Sequence, residues 1–131
     1  MEEERVRPGA HEIYDRVKRD AAEELERPIP ALAFSGLFAG ATVGFSGLAA
    51  AAATALVGRG SGAHLAGALV YPVGFVATII GRAQLFTENT LYPLTLVLDE
   101  HKHVRSTLRL WVVVLAANLL GALAFAVLIV D

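Results

Sequence analysis

Residues 81–90 read GRAQLFTENT, and they put Arg82, Gln84, Thr87, Glu88, Asn89 and Thr90 inside a run that is otherwise apolar from Leu65 to Leu98. As one continuous helix, this run of 34 residues would reach about 50 Å at about 1.5 Å per residue, against a hydrocarbon core of about 30 Å. A single straight crossing does not fit. The simplest resolution is a broken helix: Leu65 to Ile80 as one half, 81–90 as non-helical chain at membrane depth, and Leu91 to Leu98 as a shorter second half, with Pro72 and Pro93 on either side. Irregular backbone in a bilayer is tolerated only where protein or a watery cavity shields it, because each unpaired amide in hydrocarbon costs several kcal/mol. The segment must therefore face a lumen or a protein contact. A half-helix starting there would aim free N–H groups and a positive dipole end at that space, which favours an anion.

The sequence on both sides has the same character. Charged residues are nearly absent from 31 to 57, return at Arg59, and vanish again between Arg109 and Asp131. With 55% hydrophobic residues and a mean hydropathy of +0.54, this is the segregated pattern of membrane spans. The expected fold is an all-α membrane protein with three transmembrane helices, at about 31–57, 65–98 (broken at 81–90) and 110–130. A charged N-terminal segment, 1–29, precedes the 30–131 membrane portion. Residues 10–27 mix Ile13, Val17 and Leu25 with charges, and Glu12 and Arg16 stand at an i,i+4 spacing that supports a short amphipathic surface helix. That helix reads as a solvated leader or as a cytoplasmic gate or docking element, and the sequence does not choose. Pro28 and Pro30 end it at the membrane edge.

Within the first span, Gly36, Gly40 and Gly44 stack on one helical stripe, with Ser35 and Gly47 alongside. Such a stripe lets another backbone approach closely, which is how helices gain contact energy in lipid. In the third span, Asn118 is the interior polar residue, three before Gly121. An intramembrane asparagine more often bonds a neighbouring helix than a ligand.

Orientation follows from the short flanks. Arg5, Arg7, Arg16, Lys18, Arg19 and Arg27 precede the first span, and Lys102, Arg105 and Arg109 lie between the second and third, while the opposite side carries only Arg59. Nine against one predicts a cytoplasmic N-terminus and an external C-terminus in a cell membrane. Nothing basic and aromatic is arranged for nucleic acid. The absence of cysteine excludes disulfides and thiolate chemistry. No nucleophile–base pair or metal-ligand cluster stands at catalytic spacing, so neither an enzyme, a metal site nor a cofactor is expected.

Three segments carry a resemblance: GLFAGATVG (36–44), GRAQLFTENT (81–90) and WVVVLAANLLG (111–121). Together they resemble the formate/nitrite transporter family, in the branch with a charged N-terminal helix. The central "G, polar, LFT, x, N" signature is the specific element. The likeness spans nearly the whole chain but only the first half of the family pattern. It implies half of an aquaporin-like channel fold that, in full, has six helices as two inverted repeats and assembles as pentamers. By that likeness the anion path includes Leu85, Phe86, Thr87 and Asn89: Leu85 and Phe86 line or support an apolar constriction, and Thr87 offers its hydroxyl to a permeating anion. The family's second repeat brings a central histidine. Here the histidines are His11, His64, His101 and His103, all expected in the tail or the connections.

Arg82 and Glu88 need partners or water at membrane depth. One reading has them neutralise each other, or a neighbouring protomer, and pin the loop; the other has Arg82 attract anions. The resulting expectation is a channel- or transporter-like protein for small monovalent anions such as formate or nitrite, working as a homo-oligomer of half-length repeats, plausibly pentameric, or with a second membrane polypeptide. The rival is a non-conducting accessory subunit of a larger membrane complex.

Overall fold

A computed structural model describes residues 7–100 and 103–130, which include all elements discussed below. Helix α1 (Ala10–Glu26) leads into α2 (Ile29–Val57). Then come α3 (Ser61–Val70), α4 (Val73–Ile80), a single 3₁₀ turn (Glu88–Thr90), α5 (Tyr92–Glu100) and α6 (Val104–Val130). No strand occurs among the described residues. Three stretches are long and apolar enough to cross a membrane: α2, α3 with α4 taken together as 61–80, and α6.

The prolines act as punctuation. Pro28 caps α2 and Pro30 sits in its first turn, where a missing N–H costs nothing. Gly58 and Gly60 have φ of +97° and +107°, a region that L side chains avoid, and they make the reversal into α3. This connection is shorter than the sequence implied. Helix begins at Ser61 rather than Leu65, so His64, expected in the connection, lies in its first turn. The reason is local: once Gly60 has turned the chain, nothing in SGAHLAGALV prevents helix formation. At Tyr71–Pro72 the second span bends, and the Gly74 N–H, an orphan at the start of α4, donates to the fully buried Ser46 Oγ of α2 at 2.7 Å.

Helix α2 is the central element. A Cβ on Gly36 would come within 2.8 Å of Ala117 Cβ, and one on Gly44 within 2.8 Å of Phe125 Cδ1. Ascending positions on α2 thus meet ascending positions on α6, and the two helices run parallel. On its other side the order is reversed: Gly67 lies against Ala50 and Thr54, and Gly74 against Thr42 and Ser46. The second span therefore runs antiparallel to α2. Backbone contact between α2 and α6 is closest where Gly40 meets the Asn118 carbonyl and Gly121 meets the Leu37 carbonyl; a Cβ at either glycine would fall inside that oxygen. Gly36, Gly40, Gly44 and Gly121 thus stand where α2 and α6 approach most closely.

Helix α1 is not a free leader. Ala21 and Leu25 are buried in one cluster with Leu32, Leu96, Leu110 and Val114, which joins α1 to α2, α5 and α6. Lys18 pairs with Asp99 and, at 3.6 Å, with Glu100 at the end of α5. Arg109 of α6 donates to the Leu25 carbonyl at 2.5 Å, so a cation from another helix satisfies the C-terminal end of α1. Elsewhere the surface is largely apolar, with Phe34, Leu56, Ile80, Leu128 and Val130 among its most exposed side chains. That surface matches a lipid solvent and not water.

Candidate functional site at the broken helix

The interruption begins with an ordered stop. At the end of α4 the Arg82 N–H donates to the Ile79 carbonyl at 3.2 Å, and the Ala83 N–H reaches back to the Thr78 carbonyl at 3.0 Å. These are the two bonds of a Schellman cap. The left-handed position of that cap, usually glycine, is Arg82 itself, with φ +50°. Residues 81–87 are non-helical and 88–90 form the 3₁₀ turn, so helix is lost over a slightly shorter stretch than the whole of 81–90.

Two side chains from the spanning helices hold this segment. Ser35 Oγ of α2 accepts the Gln84 N–H at 3.0 Å. Asn118 makes three bonds: its Oδ1 accepts the Phe86 N–H at 2.8 Å, and its Nδ2 donates to the Gly36 carbonyl at 2.8 Å and the Gln84 carbonyl at 2.9 Å. One carboxamide thus ties α6, α2 and the loop together. Two acceptors and one donor around it also fix which way the amide is turned. Asn118 stands eight residues inside Leu110, a depth of about 12 Å along the helix at about 1.5 Å per residue. The break therefore lies level with the inner part of the spanning helices.

The residues singled out from sequence divide between anchors and free groups. Leu85 is buried against Ala39 and Ala83, with Val43 and Phe75 nearby. Phe86 is half-buried and meets Trp111 edge-to-face at 6.4 Å between centroids. Asn89 is buried; its Nδ2 donates to Gln84 Oε1 at 2.6 Å, and its carbonyl accepts the Trp111 indole N–H at 2.8 Å. Thr87 and Glu88 are exposed. The Leu85 carbonyl accepts both the Glu88 and the Asn89 N–H at 3.1 Å. By contrast, the N–H groups of Leu85 and Thr87 find no acceptor among the described residues.

Arg82 and Glu88 do not neutralise each other: among the described residues neither takes part in an ion pair within 4.0 Å. Both instead border a cleft of 380 Å³ between the break and α1. Its remaining lining includes Asp20, Glu23 and Glu24 of α1, with Gln84 and Asn89. What pins the loop is neutral, the hydroxyl of Ser35 and the amide of Asn118. Of the expected connecting histidines, His64 lies in α3, and His101 falls outside the described residues.

The sequence model of the formate/nitrite transporter family matches residues 11–131. The chain belongs to that family. It is 36% identical over 123 residues to the inner membrane protein YfdC of Escherichia coli (strain K12), an alignment covering 92% of this chain and 40% of YfdC. It is 30% identical over 105 residues to a probable formate transporter of Methanothermobacter thermautotrophicus, covering 76% of this chain and 38% of that protein. The chain thus spans about two fifths of the length of these curated relatives. No solved structure matches it. It is accordingly a transporter-like, multi-pass membrane protein.

For a formate/nitrite transporter chain, the groups that sequence reasoning underused are Ser35, Gln84 and Trp111. Ser35 stood in plain view beside the glycine stripe. A serine preceding a close-packing glycine has a partner backbone within reach, and that was the available signal. Gln84 carried none, because its role depends on which elements the break brings near it.

Proposed function

We propose that this chain supplies one half of a path for small monovalent anions, formate, nitrite or a similar species, that runs past the 81–90 segment. The observation carrying this reading is the pair of unclaimed amide donors at Leu85 and Thr87, in a segment whose other N–H groups from Arg82 to Asn89 are all hydrogen-bonded. Leu85 is buried and Thr87 exposed, and unclaimed amide donors close in sequence to the Thr87 hydroxyl suit an oxyanion. The relative named a probable formate transporter agrees with that substrate class.

A three-span chain leaves one face of the break uncovered, so the path is closed by further protein. We take this to be copies of the same chain, a pentamer by likeness to the family, or a second membrane polypeptide supplying the complementary repeat of an aquaporin-like fold. The charge bias of the flanks favours parallel copies with the N-terminus cytoplasmic. In this reading α1 is an amphipathic helix at the cytoplasmic entrance.

A second reading has its own support. Leu85 and Phe86, the side chains expected to form a constriction, both pack against protein within this chain, as they would in a non-conducting accessory subunit. Reconstitution into liposomes separates the two. Formate or nitrite flux that falls at least tenfold in Thr87→Val supports the path; a silent protein that co-purifies with a stable membrane partner supports the accessory subunit.

A further inference from the structure

Helix α6 grips the broken segment at two heights. Asn118 holds the first half, through the Gln84 carbonyl and the Phe86 N–H. Trp111 stands two turns earlier on the same face of the helix, about 10 Å nearer its start at about 1.5 Å per residue. The Trp111 indole N–H donates to the Asn89 carbonyl at 2.8 Å, and its ring meets that of Phe86 edge-to-face, with centroids 6.4 Å apart. One side chain thus engages both ends of the stretch 86–89, and between those ends lie Thr87 and Glu88, both exposed.

Among the described residues, no other hydrogen bond joins 87–90 to a membrane-spanning helix. Asn89 Nδ2 is engaged by Gln84, and the Thr90 hydroxyl donates to the Thr87 carbonyl at 2.8 Å, so both bonds close inside the segment itself. The Glu88 and Asn89 N–H groups turn inward too, onto the Leu85 carbonyl. Any hold that α6 has on the turn beyond Phe86 therefore passes through the indole. An indole donates through one N–H and accepts nothing, so the bond fixes the direction of the ring together with that of the carbonyl. A ring held in this way also bars Phe86 from swinging toward α6, since two packed rings cannot share the space.

We infer that Trp111 is a positioning residue of the proposed anion path: it holds the Asn89 carbonyl and the Phe86 ring, and through them sets where the Thr87 amide and hydroxyl meet the anion. The inference rests on the reading that Thr87 faces that path. It adds that the affinity for the anion is governed from α6 by a group that makes no contact with it. An anion seated at Thr87 acts back on the indole by the same linkage.

Trp111 is the chain's one tryptophan, so replacing tryptophan by an analogue during expression changes this position alone. Benzothienylalanine keeps the bicyclic ring but has sulfur where the indole has N–H, whereas 5-fluorotryptophan keeps the donor and adds a ¹⁹F signal. In the purified full chain in detergent, ¹³C-labelled formate should bind the benzothienyl form about tenfold more weakly than the tryptophan form, the loss expected of one unmade hydrogen bond. Amide hydrogen exchange should quicken at Glu88 and Asn89 and stay unchanged at Gln84, which Ser35 holds. The ¹⁹F signal should move with added formate and saturate at the same concentration as binding. Equal formate affinity in the two forms overturns this inference and leaves the path standing; a tryptophan form that binds no formate sinks the path, and the positioning role with it. Exchange that quickens evenly through the whole chain also overturns the inference, because that is the behaviour of a merely structural residue. Where the benzothienyl form does not fold, a ¹⁹F signal that ignores bound formate overturns it.

Discussion

The Asn118 amide donates to the Gln84 carbonyl at 2.9 Å, so the middle of α6 carries the point at which the second span stops being a helix. The same side chain also bonds the Gly36 carbonyl, which keeps its place in the α2 ladder, and the Phe86 N–H, so its loss strands two loop groups at once, the Phe86 N–H and the Gln84 carbonyl. Each stranded group costs about 1–3 kcal/mol. Asn118→Leu is therefore expected to lower stability by several kcal/mol, seen as a large fall in the thermal midpoint in detergent. Asn118→Asp would press a carboxylate oxygen toward two carbonyl oxygens and should do no better. A midpoint unchanged in both would mean that other contacts hold the break.

Arg82 makes the opposite prediction. A non-glycine residue at φ +50° carries backbone strain of about 1 kcal/mol relative to glycine. With no ion pair to lose, Arg82→Gly should raise stability by roughly that amount, while Arg82→Gln should leave the fold and any oligomer intact. Dissociation or unfolding of Arg82→Gln, read by size-exclusion chromatography, would instead restore the idea that this charge pins the loop through a neighbouring protomer.

Two glycines of α2 give a matched comparison. A methyl group at Gly40 meets the Asn118 backbone, whereas one at Gly47 meets nothing within 4 Å. Gly40→Ala should cost several kcal/mol, because two packed backbones must part. Gly47→Ala should be neutral or slightly stabilising through helix propensity. Thermal unfolding of the two variants side by side is the check.

These contrasts show what was legible beforehand. Long uncharged runs, the proline at 28 and the polar decad 81–90 dictate three spans and a break, because lipid permits few alternatives. The glycine stripe on α2 likewise announces a close neighbour. The sequence could not say that the neighbour is Asn118, since that pairing depends on the relative height of helices 82 residues apart in the chain. Nor could it place Arg82 at a left-handed cap: glycine stands one residue earlier, at 81, and local preference pointed there. Within this chain Arg82 and Glu88 form no ion pair among the described residues, and the loop backbone is held by the neutral groups of Ser35 and Asn118.

The tether of α1 should respond to alkali. The hydrogen bond from Lys18 to Asp99 holds the ammonium pKa above its usual 10.5, with the charges of Asp99, Glu100 and Tyr14 adding to it and partial desolvation opposing. A folded-state pKa above the unfolded value means that the stabilisation is fully present below about 10.5 and disappears as pH climbs through the raised pKa. Protease access to α1 should then stay constant through neutral pH and rise only in strong alkali, with Lys18→Met showing the alkaline behaviour at every pH. Because the pair is solvent-accessible, high salt should weaken it as well.

One consequence of the Asn118 anchor concerns the order of synthesis. Phe86 leaves the ribosome 32 residues ahead of the side chain that accepts its N–H. For that interval, of the two side chains that hold the unwound amides, only Ser35 of α2 has been made. The 81–87 amides therefore gain their full set of partners only once α6 has been made and has taken its place beside α2.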